Sequence, residues 1–142
     1  MNLSPKSYLL DTSAILAFYQ GEPGSEVVRG LFEARDRGEA TIYVSFMTIF
    51  ELAYIVKSRA GDAQASSFIV EVRSLEMDEV WPDEALMWSA ADIKARAGLS
   101  AADAFVAASS IAADAVLAHR DPELDRDIPG LTCLNIVESR RD

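Results

Sequence analysis

The stretch SYLLDTSAILAFY, residues 7–19, decides the fold: an apolar run stops at Asp11, Thr12 and Ser13 follow, and a second apolar run starts at Ala14 with helical spacing. Residues 8–10 have the length and unbroken apolarity of a buried strand, and residues 14–20 the period of a helix closing near Gly21. A strand that feeds directly into a helix is the building unit of α/β architecture. A carboxylate at the junction has two readings. It caps the helix, or it belongs to a charged site assembled from distant parts of the chain.

Working outward, the same alternation recurs. Val27, Val28, Leu31 and Phe32 lie at helical spacing between Pro23 or Ser25 and Gly38, and TIYVS (41–45) is a β-branched and aromatic strand. A helix over residues 46–59 closes at Gly61, a further helical pattern runs over 62–75, and MDEVW suggests a short strand before Pro82, which opens a helix ending at Gly98. LSAADAFVAASSIAADA, from Leu99, predicts an Ala-rich interior helix. AVLAH follows as a strand, RDPELDRDIPG as a polar loop or single turn, and LTCLNI as the last strand. Strands alternating with helices predict a central parallel sheet covered on both faces, a three-layer α/β/α sandwich formed by residues 1–142 as a single domain. Ligands in such sheets bind beyond the carboxyl ends of the strands, above all where strand order reverses.

The composition bounds the chemistry. With 142 residues, half of them apolar, the chain is expected to build a core without staples. Cys133 is the only cysteine, so neither an intramolecular disulfide nor a Cys-rich zinc site can form, and the cytosol is the expected compartment. No secretory signal or membrane-length apolar run is present, and a soluble protein is expected. Thirteen basic against twenty-three acidic residues leave a formal charge of −10, which disfavours nonspecific binding to nucleic acid and favours basic partners or bound cations. A divalent ion held by carboxylates inverts the local field, so a polyanionic substrate stays open.

Four carboxylates stand where such a site would form. Asp11 follows the first strand. Glu51 lies in VSFMTIFELAYIVKS, a helix apolar on nearly every face, where either a Thr48–Glu51 capping box holds it or Ser45 caps the helix and leaves Glu51 well inside. Asp103 forms an S-x-x-D signature with Ser100 and sits in the first turn of its helix, where capping and a crevice-facing role coexist. Asp121 follows AVLAH in an Asp-Pro turn, with Asp125 and Asp127 as neighbours. Gathered in one crevice, these acids would repel one another unless a hard divalent cation intervened. Oxygen donors suit Mg²⁺ or Mn²⁺, and the chemistry this permits is metal-assisted phosphodiester hydrolysis.

LLDTSAILAFY, TIFELAY, GLSAADAFVAA and HRDPELD, in this order, resemble the four motifs of the PIN-domain ribonucleases, in particular the VapC-like toxins of toxin–antitoxin pairs. The resemblance covers essentially the whole chain. It implies that Asp11, Glu51, Asp103 and Asp121 bind the metal, with Ser13 as a candidate supporting ligand. It further implies a Mg²⁺- or Mn²⁺-dependent endoribonuclease acting on RNA, a homodimer, and a cognate antitoxin carrying a basic segment. The family often places Thr two residues before its last acid; this chain has His119, its only histidine, which leaves Asp125 as a competitor to Asp121. His119 is read as a strand-end side chain rather than a general base.

Other readings compete. A PIN nuclease of RNA maturation would carry the same acids, and a noncatalytic PIN-like protein-binding module would need none of them. An aspartyl-phosphate phosphohydrolase with Asp11 as nucleophile ranks low, because Ser13 stands where its second acid belongs.

Overall fold

In the computed structural model, which describes residues 6–137, five strands and six helices alternate along the chain. The order is β1 (Lys6–Leu10), α1 (Thr12–Gln20), α2 (Ser25–Asp36), β2 (Ala40–Ser45), α3 (Phe46–Ala60), α4 (Asp62–Arg73), β3 (Asp78–Val80), α5 (Glu84–Ala97), α6 (Ala101–Ala112), β4 (Val116–His119) and β5 (Cys133–Asn135), with a 3₁₀ turn at Pro122–Leu124. The strands form one all-parallel sheet in the order β3-β2-β1-β4-β5. The expected α/β sandwich around a central parallel sheet is therefore present.

Alternation along the central strands separates the two faces. Leu10 and Ala118 join Ala14, Ile15, Val28, Ile42, Val44 and Leu52 in one buried cluster, which α1, α2, α3 and α4 complete. Their chain neighbours Leu9 and Leu117 point the other way, against Val106 of α6. Beyond that layer, Leu86, Ala90 and Ile93 of α5 meet Ala104, Ala107 and Ala108 of α6. Small side chains let α6 approach both the sheet and α5, as the Ala-rich sequence predicts. Fully buried strand residues explain why these segments read as unbroken apolar runs rather than alternating ones.

Capping corrects the expected boundaries. α1 begins at Thr12, two residues before the apolar period, because Asp11 in extended conformation (φ −85°, ψ 178°) accepts the Ala14 N–H. α3 begins at Phe46 because Ser45 accepts the Met47 N–H, which rules out a capping box begun by Thr48. Pro82 does not open α5; Asp83 caps it, its carboxylate accepting the Leu86 N–H at 2.7 Å. Among the described residues, no helix is long and apolar enough to cross a membrane.

Candidate active site

From β1 the chain steps outward to β2 and β3, then returns to the far side of β1 to lay down β4 and β5. The order reverses between β1 and β4: the chain leaves β1 through α1 on one face of the sheet and leaves β4 through the 3₁₀ turn, whose Leu124 packs on the other, and the carboxyl ends at such a point are where ligands bind. Leu10 is level with Val44 on one side and Ala118 on the other, so Asp11, Ser45 and His119 end their strands in one row. Asp11 and Asp121 flank the switch point, Glu51 rides on the helix leaving β2, and Asp103 sits in the first turn of α6.

Asp11 is 6% exposed. Its Oδ1 accepts the Ser13 hydroxyl at 2.7 Å and the Ala14 N–H at 2.9 Å. The Ser13 hydroxyl in turn accepts the Arg120 N–H at 3.1 Å, which ties the end of β4 to the end of β1. Burial pushes the Asp11 carboxyl up to about 6; Ser13, Ala14 and His119 oppose that rise, and the charge of Asp103 adds to it. The capping reading holds, and the same buried carboxylate stands at the strand end where a ligand would bind. Ser13, expected as a supporting ligand, is engaged in orienting Asp11.

Glu51 lies half-buried within α3, where its Oε1 accepts the Thr12 hydroxyl at 2.8 Å. Thr12 Oγ1 also lies 3.4 Å from Thr48 Oγ1, and Thr48 is fully buried. Burial raises the Glu51 carboxyl, the Thr12 hydrogen bond lowers it, and the Asp103 charge raises it again. Thr12 joins the Asp11 and Glu51 segments, a role the sequence reading did not assign. Its only sequence signal was adjacency to Asp11, and that pointed to capping.

Asp103 donates its backbone N–H to the Ser100 hydroxyl at 3.1 Å, confirming the cap. Its carboxyl is raised first by burial and then by the charges of Asp121 and Glu123, while Ser100 and Arg126 lower it. Asp121 accepts the Glu123 N–H at 3.0 Å and caps the 3₁₀ turn. Asp125 is differently employed: its Oδ1 lies 3.0 Å from His119 Nε2 and its Oδ2 accepts the Asn135 amide at 3.2 Å. Glu123, whose charge reaches Asp103, was not singled out from sequence, since nothing in an exposed turn marks it.

Asp103 therefore acts electrostatically on Asp11 and on Glu51, and Asp121 on Asp103. Yet among the described residues no three His, Cys, Asp or Glu side chains lie close enough to hold one metal ion. Three of the four acids are instead served by donors of their own: Ser13 and Ala14 for Asp11, Thr12 for Glu51, Glu123 for Asp121. The donor chemistry, hard anionic oxygen, fits Mg²⁺ or Mn²⁺. The side chains as they stand do not form a ligand shell.

Comparison with known proteins bears on this site. No curated protein matches the chain. Among solved structures, VapBC2 from Rickettsia felis, bound to a DNA fragment from its promoter, is 18% identical with a TM-score of 0.73, over 90% of this chain and 97% of that one. VapBC-1 from nontypeable Haemophilus influenzae is 18% identical with a TM-score of 0.71, over 93% and 99%. VapC20 from Mycobacterium tuberculosis, a sarcin-ricin loop cleaving toxin, is 16% identical with a TM-score of 0.64, over 82% and 92%. Similarity at these identities shows a shared fold. The PIN domain family model matches residues 8–127, a span that contains Asp11, Glu51, Asp103 and Asp121. With that match over most of its length and the parallel sheet to accompany it, the chain belongs to the PIN domain family.

Proposed function

We propose that the protein is a divalent-metal-dependent endoribonuclease and the toxin of a toxin–antitoxin pair, working in the cytoplasm as a single PIN-like domain. The observation that carries this reading is the electrostatic coupling at the switch point. Burial raises the carboxyls of Asp11, Glu51 and Asp103, and neighbouring charge adds to each, from Asp103 at Asp11 and Glu51 and from Asp121 and Glu123 at Asp103, a state that a hard cation would relieve. Asp11, Glu51, Asp103 and Asp121 would hold the ion. A bound Mg²⁺ or Mn²⁺ supplies an acidified water and charge neutralisation for phosphodiester hydrolysis. Ser13 and the Ala14 N–H keep the Asp11 carboxylate in place, and Thr12 does the same for Glu51. Asp121 rather than Asp125 is the fourth acid, because its charge reaches Asp103 while both Asp125 oxygens face partners of their own.

The toxin assignment draws support from the VapBC complexes among the structural neighbours and from the one described as cleaving the sarcin-ricin loop. A formal charge of −10 supports a cognate antitoxin that presents a basic segment to the acidic crevice. The toxin is proposed to work as a homodimer on an RNA substrate.

Incubating a total-RNA pool with purified protein tests the reading, with Mn²⁺, Mg²⁺ or chelator and beside a folded Asp103→Asn variant. Discrete fragments that need metal and disappear in the variant are expected, with a loss exceeding the ~10–100-fold typical of residues that only support a ligand. Equal activity in both proteins would remove the carboxylate assignment. Inactivity of both, with antitoxin shown to be absent, would favour the noncatalytic binding module.

A further inference from the structure

His119 ends β4 with its side chain fully buried, and its two ring nitrogens face two different parts of the segment that follows. Nδ1 accepts the Asp121 N–H at 3.1 Å. That bond places the ring proton on Nε2, which lies 3.0 Å from Asp125 Oδ1, off the line of an N–H donation. Between these contacts the chain makes one tight turn: the Leu124 N–H donates to the Asp121 carbonyl and the Asp125 N–H to the Pro122 carbonyl, both at 3.1 Å. The turn is wound around the imidazole. On the other side the preceding amide, Arg120 N–H, is held by Ser13, the same hydroxyl that orients Asp11. Two consecutive backbone amides are thus fixed by side chains, one by Ser13, which also binds the first acid, and one by the histidine.

We propose that His119 is a positioning residue of the site, a clasp whose Nδ1, by accepting the Asp121 N–H, aims the Asp121 carboxylate into the crevice that Asp103 shares. This rests on the metal-dependent reading of the acids. An imidazole nitrogen serves this amide while the far edge of the ring faces Asp125. Buried, the ring has no water to replace either contact.

Two conservative variants separate the nitrogens. His119→Asn keeps an acceptor near the position of Nδ1 and loses the reach of Nε2; His119→Gln carries its amide toward Nε2 and leaves the Asp121 N–H without an acceptor. Three quantities would be compared with the wild type: hydrogen exchange of the Asp121 amide by NMR, Mn²⁺ affinity by calorimetry, and metal-dependent RNA cleavage. The Asn variant is expected to keep slow exchange and Mn²⁺ affinity within a few-fold. In the Gln variant the amide exchanges at least about 10-fold faster and Mn²⁺ affinity and cleavage fall about 10–100-fold, the usual cost of disturbing a group that orients a ligand. A buried residue with only a packing role would move both variants alike, and equal exchange or equal Mn²⁺ affinity in Asn and Gln overturns the proposal. Should the wild type neither bind Mn²⁺ nor cleave RNA, the nuclease reading fails, while the exchange comparison still decides whether Nδ1 holds the Asp121 amide.

Discussion

At the scale of single residues, the site is assembled at the expense of stability. The Asp11 carboxyl sits at about 6, chiefly through burial, so the native state keeps a proton that the unfolded chain releases near pH 4. Stability therefore falls as pH rises from about 4 to about 6 and stays reduced above that. Two pH units correspond to about 3 kcal/mol at neutral pH in the metal-free protein. Asn is as good a helix cap as Asp and carries no charge. Asp11→Asn is expected to stabilise the metal-free protein by about 1–3 kcal/mol at pH 7 and to flatten the slope between pH 4 and 6. Urea unfolding across that range checks both, and a variant with the wild-type slope would show that another group carries it. Thr12→Val makes the opposite point. Deprived of its hydroxyl partner, the half-buried Glu51 carboxyl should titrate higher than in the wild type, and folding should lose about 1 kcal/mol. Carbon-detected NMR of the Glu51 carboxyl reads the first effect directly.

At the scale of elements, caps and glycines made most boundaries readable. Asp11, Ser45 and Ser100 each precede an apolar period and each caps a helix, and Gly21, Gly61 and Gly98 follow one. Where two caps competed, local signals did not choose: Thr48 with Glu51 is a plausible box, yet Ser45 starts α3 because it also closes a strand. The Ser45 hydroxyl accepts the Met47 N–H at 3.1 Å and lies 3.2 Å from the Ser109 hydroxyl, whose own proton goes to the Phe105 carbonyl at 2.7 Å, so it links α3 to α6. Ser45→Ala is expected to cost about 1–2 kcal/mol, a normal cap loss, measurable as a shift in the denaturation midpoint. Adding Glu51→Gln to Ser45→Ala should leave that cost unchanged, since Glu51 has no part in the cap. What the sequence could not disclose was contact across elements. Thr12 with Glu51 and His119 with both Asp121 and Asp125 depend on which strand lies beside which, and no periodicity encodes that.

At the scale of the whole molecule, five strands placed in the order β3-β2-β1-β4-β5 set Asp11 and Asp121 beyond the carboxyl ends of neighbouring strands, with Glu51 on the helix that leaves β2 and Asp103 in the first turn of α6. Alternation of strand and helix announced the layers; the strand order itself came only with the structure. A cation that binds this end of the native state and not the unfolded chain must stabilise the fold. Mn²⁺ at about 100 times its dissociation constant is expected to add about 2.7 kcal/mol, and chelator to remove it. Asp103→Asn should abolish that gain, as thermal unfolding with and without the ion would show. The hydrogen bond between the Arg120 N–H and the Ser13 hydroxyl joins residues 107 apart along the chain. At 5–20 residues per second, a ribosome needs roughly 5–20 s to advance from one to the other. Through that interval a nascent chain has Asp11 but no β4 to set beside it. On the toxin reading proposed above, activity would begin late in synthesis, which leaves an antitoxin already in the cell several seconds to be waiting.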